Sequence, residues 1–403
     1  MEFLKRHVSR LLKNVLCRKR KARLMNDNLV PSLDHFNVPA SIIKEYLWKN
    51  ANDDLGVWVI LDGQWIEGIV IKLLENNVEY CSLFEGPLTQ EHLAASPYLV
   101  KLSPHDSFTT WILESGWGHG WGIFFQASPK RIADLYPNAT TSHIALKRAK
   151  GEFFGSEGLE SQEERLATLL LRKHFRKYSR VSIEGEGRVV AFRFFDPGAL
   201  QTWLRSANNA ELASFMQPIR SFLIEDYCDV QKLNRPERLH IYSFNSTSES
   251  SLSARQYDHK TSKISQLSRY SASGTGTLNI GENGLMLLRE PVRRQFERRQ
   301  LTIFKEEIVE DVVTVRSRNG LSTDISELRQ TVDFQVEKAN SFGLRSRRNL
   351  ANYVLCYFRY GNDFVSTIPD FQKAFADRVS DKEVEPILAK FAKEDRLAGE
   401  LIA

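Results

Sequence analysis

The segment Gly116–Gly122 restricts the fold most, because every second residue is glycine and aromatic side chains lie between the glycines. Trp111, Trp117 and Trp121 fall within eleven positions. Glycine permits close packing and unusual backbone angles, and large aromatic rings fill cores or anchor protein interfaces. Two interpretations stay open: a glycine-turned corner of a sheet with its aromatics in the core, or an aromatic surface that binds another protein.

The sequence around this segment alternates between strand and helix patterns. Val57–Leu61 is a continuous apolar run that Asp62-Gly63 ends with turn residues, which is typical of a buried strand. Because the two patterns alternate, we expect a mixed α/β layer. Strands are predicted at Val57–Leu61, Tyr80–Phe84, Tyr98–Leu102 and Trp121–Gln126, and helices around Ile66–Leu74 and at Ser107–Ser115 with Gly116 as its cap.

Further along, helix-start signals are clear. Ser161 and Glu164 form a capping box, which predicts a helix over Ser161–Tyr178. Asp196-Pro197 combines an N-cap residue with proline at the first helical position, so a second helix is expected to start there. Between them, two apolar runs separated by glycines predict a β-hairpin, Arg180–Glu184 with Arg188–Phe195, and a return to the sheet is predicted within Phe215–Glu225.

Arg193 lies between Phe192 and Phe194 on the second predicted hairpin strand. Successive strand residues point to opposite faces, so Arg193 is expected to face away from both rings. If that face is buried, the guanidinium needs a carboxylate or carbonyl partner.

The predicted elements, together with shifts in composition, indicate four segments and an α+β fold class. A basic N-terminal extension occupies residues 1–25, a mixed α/β domain residues 26–228, a strand and Ser-rich connector residues 229–288, and a mainly α-helical C-terminal domain residues 289–403. Asn245–Gly276 is rich in Ser, Thr and Gly and is interpreted as a long loop or irregular connector. Helices in the last segment are indicated by Phe296, Phe304, Ile308 and Val312, by Leu350, Val354, Leu355 and Phe358, and by the residues from Lys382 onward.

Charge is concentrated at the N-terminus. Residues 1–25 contain nine Lys or Arg and one acid, which leaves 46 basic against 49 acidic residues in the rest. A near-neutral body argues against a nucleic-acid-binding domain. The basic residues of 1–25 alternate with apolar ones at helical spacing, so binding to an anionic membrane or to RNA stays an alternative to a plain extension.

No apolar stretch approaches the ~20 residues of a membrane span, and the four cysteines are widely spaced. We therefore expect no stable membrane insertion and a cytoplasmic location. The sequence contains no P-loop, no G-x-G-x-x-G, no G-x-S-x-G and no H-E-x-x-H. It predicts no catalytic residue, cofactor or metal, although an enzyme of an unrecognised α/β class acting on a small polar substrate stays an alternative.

Two blocks together resemble a known family. The first block, residues 96–125, reads PYLV.L, F..W.L and GWG..WGIF, and the second block, residues 192–200, reads FRFFDP..L. With Phe215–Arg220, they are similar over about residues 55–226 to the domain of unknown function numbered 4123, adaptor chaperones of bacterial type VI secretion. A weaker similarity covers parts of Phe342–Phe364, which look like a helical C-terminal extension of that family.

The resemblance implies a protein without catalysis. Its partners would be the N-terminal region of a toxic effector protein and the C-terminal end of the trimeric VgrG spike, and no nucleic acid. The cluster Arg289, Arg293, Arg294, Arg298 and Arg299 is a further candidate contact for an acidic partner. The predicted partner-binding residues are Trp111, Trp117, Trp121, Phe124, Arg193, Phe195, Asp196 and Trp203.

Overall fold

The computed structural model describes residues 39–48, 54–84, 89–154, 161–225, 238–245, 251–258, 263–271, 278–281, 283–318, 324–376 and 381–392. The predicted basic extension, residues 1–25, lies outside these ranges. The chain forms two compact units, Met1–Arg293 and Arg294–Ala403. No helix in the described ranges combines the length and the apolar character that crossing a bilayer demands.

An eight-stranded antiparallel sheet forms the centre of the first unit. The predicted strands of residues 57–126 are all present, the second one shortened to three residues. The strands of this sheet are β1 Gly56–Asp62, β2 Tyr80–Ser82, β3 Pro97–Leu102, β4 Gly122–Ala127, β7 Ile219–Glu225, β8 Arg238–Asn245, β9 Ser251–Asp258 and β10 Lys263–Ser271. They lie side by side in the order β10-β9-β8-β7-β4-β1-β3-β2.

Strand β1 is apolar from Val57 to Leu61, and both of its faces are buried. Val59 lies opposite Val100 of β3 and Phe124 of β4, and these side chains share one face of the sheet. Three helices contribute to the core on this face, α1 (Ala40–Trp48), α2 (Ile69–Glu75) and α4 (Ser107–Ser115). The predicted Ser107–Ser115 helix is confirmed, and the helix predicted around residues 66–74 starts at Ile69.

The opposite face of the sheet is aromatic. Trp58 stacks on Phe125 with ring centroids 6.1 Å apart, and Phe125 also contacts Phe175 and Phe222. Phe215 then contacts Phe222. Phe175 lies on helix α7 (Gln162–Arg176) and Phe215 on helix α9 (Asn209–Met216). Helix α8 (Pro197–Ser206) contributes Trp203, which contacts Phe215.

Both predicted helix starts are confirmed. The Ser161 hydroxyl accepts the Glu164 amide at 3.2 Å, and the Glu164 carboxylate accepts the Ser161 amide at 3.1 Å, so the capping box is complete. Asp196 Oδ1 accepts the Ala199 amide at 2.7 Å and caps α8. Short helices complete this part of the unit: α3 Gln90–Ala95, α5 Pro129–Asp134 and α6 Ser142–Ala149.

The interpretation of residues 245–276 as a long loop or irregular connector was wrong. Residues 251–258 and 263–271 form β9 and β10, and β8 ends at Asn245. Among the β9 residues whose burial the structure describes, the buried apolar side chains are Leu252 and Ala254, and the strand sequence is otherwise largely polar. Pairing with β8 across a regular register compensates for this weak apolar pattern.

A second, three-stranded sheet contains the predicted hairpin. Strand β5 (Arg180–Ile183) pairs antiparallel with β6 (Val189–Ala191) and parallel with β11 (Leu287–Leu288). The prediction that β6 continues to Phe195 was wrong, because residues 192–195 leave the strand to form the tight entry into α8.

Helices form the second unit, as predicted. They are α10 (Glu290–Arg318), whose residues from Arg294 belong to this unit, α11 (Ile325–Ser341), α12 (Arg347–Tyr360), α13 (Phe364–Thr367), α14 (Pro369–Ala376) and α15 (Asp381–Phe391). Their core includes Ile308, Val332, Tyr353 and Leu388. The fold class is therefore α+β, an antiparallel sheet with helices followed by a helical region.

Candidate functional site

The first block forms strand β3, helix α4, the Gly-rich turn and strand β4. Trp111 on α4 and Trp121 at the end of the turn are both half-buried, and their ring centroids are 5.2 Å apart. The exposed His119 lies 5.9 Å from the Trp121 ring. We call Trp111 and Trp121 the tryptophan pair. It is an aromatic surface with one side packed on the core and the other accessible to solvent.

Helix α4 is held by polar contacts on both sides. Lys44 of α1 donates to the Thr110 hydroxyl at 3.0 Å. On the α2 side, the Ser107 hydroxyl donates to Asn76 Oδ1 at 3.0 Å, and the Lys72 ammonium lies 6.0 Å from the centre of the Trp111 ring. These contacts fix the position of Trp111 within the unit.

Two glycines of this segment, Gly116 and Gly122, are required because neighbouring atoms lie too close to leave room for a Cβ atom. A Cβ atom on Gly122 would lie 2.1 Å from the Ile60 carbonyl oxygen of β1, and a Cβ atom on Gly116 would lie 2.5 Å from Trp121 Cε3. A real Cβ atom cannot occupy either position unless its neighbours move. The glycine spacing therefore allows β4 to pair with β1 and the Trp121 ring to cover the turn.

Four of the predicted partner-binding residues belong to the core. The exposed fraction is 1% for Trp117, 5% for Phe124, 3% for Phe195 and 1% for Trp203. These side chains offer no surface that a partner can contact in this structure, so their assignment as binding residues is corrected to packing. For Trp117 and Phe124 of the first block, the better interpretation was a glycine-turned corner with its aromatic side chains in the core.

In the second block, Arg193 reaches a buried carboxylate. Its Nη2 pairs with Asp62 Oδ2, its Nη1 donates to Gln64 Oε1 at 2.5 Å, and its guanidinium lies 5.2 Å from the Phe195 ring. The side chain of Asp62 is fully buried, whereas that of Arg193 is one quarter exposed. The predicted need for a carboxylate partner is thus met, although Arg193 does not lie on a strand.

Burial raises the pKa of Asp62 to about 6, even though the Arg193 charge and the Gln64 amide lower it. The nearby Asp196 carboxylate adds to the increase in the pKa. A carboxyl group that titrates near neutral pH is a typical feature of a functional site or of a buried ion pair. Here burial explains the raised pKa, and the carboxylate is paired with Arg193 and not accessible to solvent.

The two blocks meet at Asp62. Its backbone amide donates to the Trp121 carbonyl at 2.7 Å, while its carboxylate pairs with Arg193. The end of β1 therefore connects the Gly-rich turn of the first block to the start of α8 in the second. Sequence reasoning assigned Asp62 only to a turn. A charged residue directly after the apolar run Val57–Leu61 was the available signal.

The arginine cluster is partly occupied inside the first unit. Arg289 donates to the buried Glu211 carboxylate at 2.7 Å, and Arg293 donates to Glu186 at 2.6 Å. These two guanidinium groups already have acidic partners in the fold. The expectation that they contact an acidic partner protein is therefore not supported.

Within the part of the chain that the structure describes, no group of three or more His, Cys, Asp or Glu side chains is arranged to hold a metal ion.

Neither a curated protein nor a solved structure matches the chain. The tryptophan pair and Asp62 fall in the segment that does match a family. Residues 57–138, from β1 through α5, match the model of the domain of unknown function DUF4123.

Proposed function

We propose that this protein is an adaptor chaperone of bacterial type VI secretion, without catalytic activity. It binds the N-terminal region of a toxic effector and connects it to the C-terminal end of the VgrG spike, in the bacterial cytoplasm. The observation that carries this proposal is the half-buried tryptophan pair, which lies within the segment similar to DUF4123.

The tryptophan pair has the properties of an interface anchor. Indole rings that are rigidly positioned and only partly covered lose little conformational entropy when a partner covers them. Trp111 is fixed by its packing on Phe108 at 5.5 Å and Trp121 by its packing on Trp111. An apolar side chain of the effector that packs on these rings would remove the remaining indole surface from water.

We favour binding over catalysis because the described carboxyl group with the most unusual pKa, Asp62, is not accessible to a substrate. Asp62 is the described carboxyl group whose pKa is raised to about 6. Its side chain is fully buried behind Arg193. A substrate would have to displace that arginine to reach it, so we propose that the Asp62–Arg193 pair positions the two blocks.

Co-purification with the products of the neighbouring genes tests the proposal. The tagged protein is expected to recover a VgrG spike and a large toxin together. Trp111→Ala and Trp121→Ala are expected to lower toxin recovery strongly while the protein stays folded. Leu146→Ala is the control, since Leu146 is an apolar side chain of the same unit that is 51% exposed. Recovery of neither protein by a folded wild type would contradict the proposal.

A further inference from the structure

A buried carboxylate far along the chain contacts the Gly-rich turn. Glu225, the last residue of β7, is 2% exposed, and its Oε2 accepts the Gly120 amide at 2.9 Å. The two residues are 105 positions apart. A charged acceptor makes a stronger hydrogen bond than a neutral one, and burial raises the cost of losing it.

Glu225 is itself held by helix α8, which begins within the second block. Gln201 of α8 donates from Nε2 to the Glu225 carbonyl at 2.7 Å. Leu223, two residues before Glu225, pairs with Phe124 of β4. The Glu225 backbone is thus fixed by a helix on one side and by the neighbouring strand on the other, and its buried carboxylate accepts the Gly120 amide.

Trp121 directly follows the residue that Glu225 holds. Its carbonyl accepts the Asp62 amide at 2.7 Å, so the backbone is fixed on both sides of the Gly120–Trp121 peptide bond. With these two anchors, the Trp121 ring can lie over Gly116 and against Trp111. Without the Glu225 anchor, the turn would be attached at one of these two points only.

We infer that Glu225 is a positioning residue for partner binding, which sets the geometry of the tryptophan pair through the Gly120 amide. The inference rests on the proposed function, because it assumes that the tryptophan pair binds the effector. Glu225 does not contact the partner, and its effect on affinity is transmitted through Trp121.

The test compares Glu225→Leu with Glu225→Gln in the full-length protein. Leucine removes the acceptor, whereas glutamine keeps an oxygen that can accept the Gly120 amide. Glu211→Leu is the matched control, since Glu211 is also buried in the first unit but holds Arg289. The probe is the N-terminal region of the toxin encoded by the neighbouring gene, titrated against each variant.

We expect Glu225→Leu to weaken binding of this probe by about tenfold and to reduce the exciton coupling between the two indoles in circular dichroism. Glu225→Gln is expected to restore both, and Glu211→Leu to change neither. Wild-type affinity and wild-type coupling in Glu225→Leu would overturn the inference. So would an equal loss of affinity in Glu211→Leu.

Hydrogen exchange of the wild-type protein keeps the inference testable if Glu225→Leu does not fold. The Gly120 amide is expected to exchange slowly, and exchange at the rate of an exposed amide would overturn the anchor. Failure of the proposed function looks different. In that case Trp111→Ala and Trp121→Ala leave probe binding unchanged, while the exchange and the indole coupling still report the anchor.

Discussion

Arg193 and Asp62 are 131 positions apart and form an ion pair that joins the two sequence blocks. The Asp62 carboxylate is buried at the end of β1, and the Arg193 guanidinium approaches it from the turn before α8. Because the Asp62 backbone also contacts the turn that carries Trp121, this pair links the second block to the tryptophan pair.

The first prediction concerns the titration of Asp62. Its pKa is about 6, and the positive charge of Arg193 lowers it. Arg193→Gln should therefore raise the pKa of Asp62 above that of the wild type. Carboxyl-carbon NMR of aspartate-labelled protein measures both values, with Asp62→Asn to assign the signal. An Asp62 pKa near 3.8 in the wild type would contradict the burial argument.

The same pKa shift has a consequence for stability. The pKa is 3.8 for an ordinary Asp and about 6 for Asp62 in the fold, so between these values the folded state binds more protons than the unfolded state. The contribution of Asp62 to the free energy of unfolding should fall as the pH rises from about 4 to about 6. Asp62→Asn lacks this slope, which urea unfolding across that pH range can measure.

Replacing Gly122 should destabilise the fold, because the backbone of β1 lies close to it. The Cβ atom of Gly122→Ala would meet backbone atoms of Ile60 and Leu61, so we expect the β1–β4 pairing to be strained and the free energy of unfolding to fall by about 1–3 kcal/mol. Ser115→Ala, an exposed position next to the turn, is the control. Urea unfolding followed by tryptophan fluorescence measures the loss, and equal stability of the two variants would refute the close approach.

A buried hydrogen bond connects the aromatic face of the sheet to α7. Trp58 Nε1 donates to the Thr168 hydroxyl at 3.0 Å, and both residues are fully buried. Thr168→Val should leave the indole N–H without its acceptor and destabilise the unit by about 1–3 kcal/mol. Thr168→Ser keeps the hydroxyl and should be much milder. All seven tryptophans precede residue 204, so fluorescence reports unfolding of this unit.

In the second unit, Asp381 ties the start of α12 to α15. Its carboxylate accepts the amides of Arg345 at 3.0 Å and Ser346 at 2.7 Å and the Asn349 side chain at 3.0 Å. Desolvation acts to raise the pKa of Asp381, but these hydrogen bonds and the positive charge of Arg345 together lower it below its ordinary value.

Asp381→Ala should therefore destabilise this unit by about 1 kcal/mol, with allowance for solvent screening. A lowered pKa stabilises the fold above the ordinary Asp pKa, and this stabilisation is lost as the pH falls through the folded value. Asp381→Asn should lack that loss. Far-UV circular dichroism during urea unfolding at neutral and acidic pH measures both effects. An unchanged urea midpoint in Asp381→Ala at neutral pH would contradict the stabilising role of the Asp381 contacts between α12 and α15.

Local patterns were sufficient for most elements of the fold. The apolar run of β1, the Ser161 capping box and the Asp196-Pro197 helix start each depend on neighbouring residues, and all three are present. Strands β9 and β10 were missed because their sequences are polar, and pairing between strands determines them.

The candidate site was only partly predictable, because its geometry depends on distant pairs. Nothing local distinguishes Trp117, which is buried, from Trp121, which is half-buried four residues later. Likewise, the contacts of Asp62 with Arg193 and of Glu225 with Gly120 span more than 100 residues. The sequence indicated which residue types matter, and the fold determines which of them are accessible at the surface.

The most direct test of the central claim is isothermal titration calorimetry of the purified protein with the N-terminal region of the toxin that we propose as its partner. The tryptophan pair is expected to act as a binding hot spot. Trp111→Ala and Trp121→Ala should each weaken binding by about 2 kcal/mol or more, while Leu146→Ala binds like the wild type. Unchanged affinity in both tryptophan variants, with their fold intact, would contradict the claim.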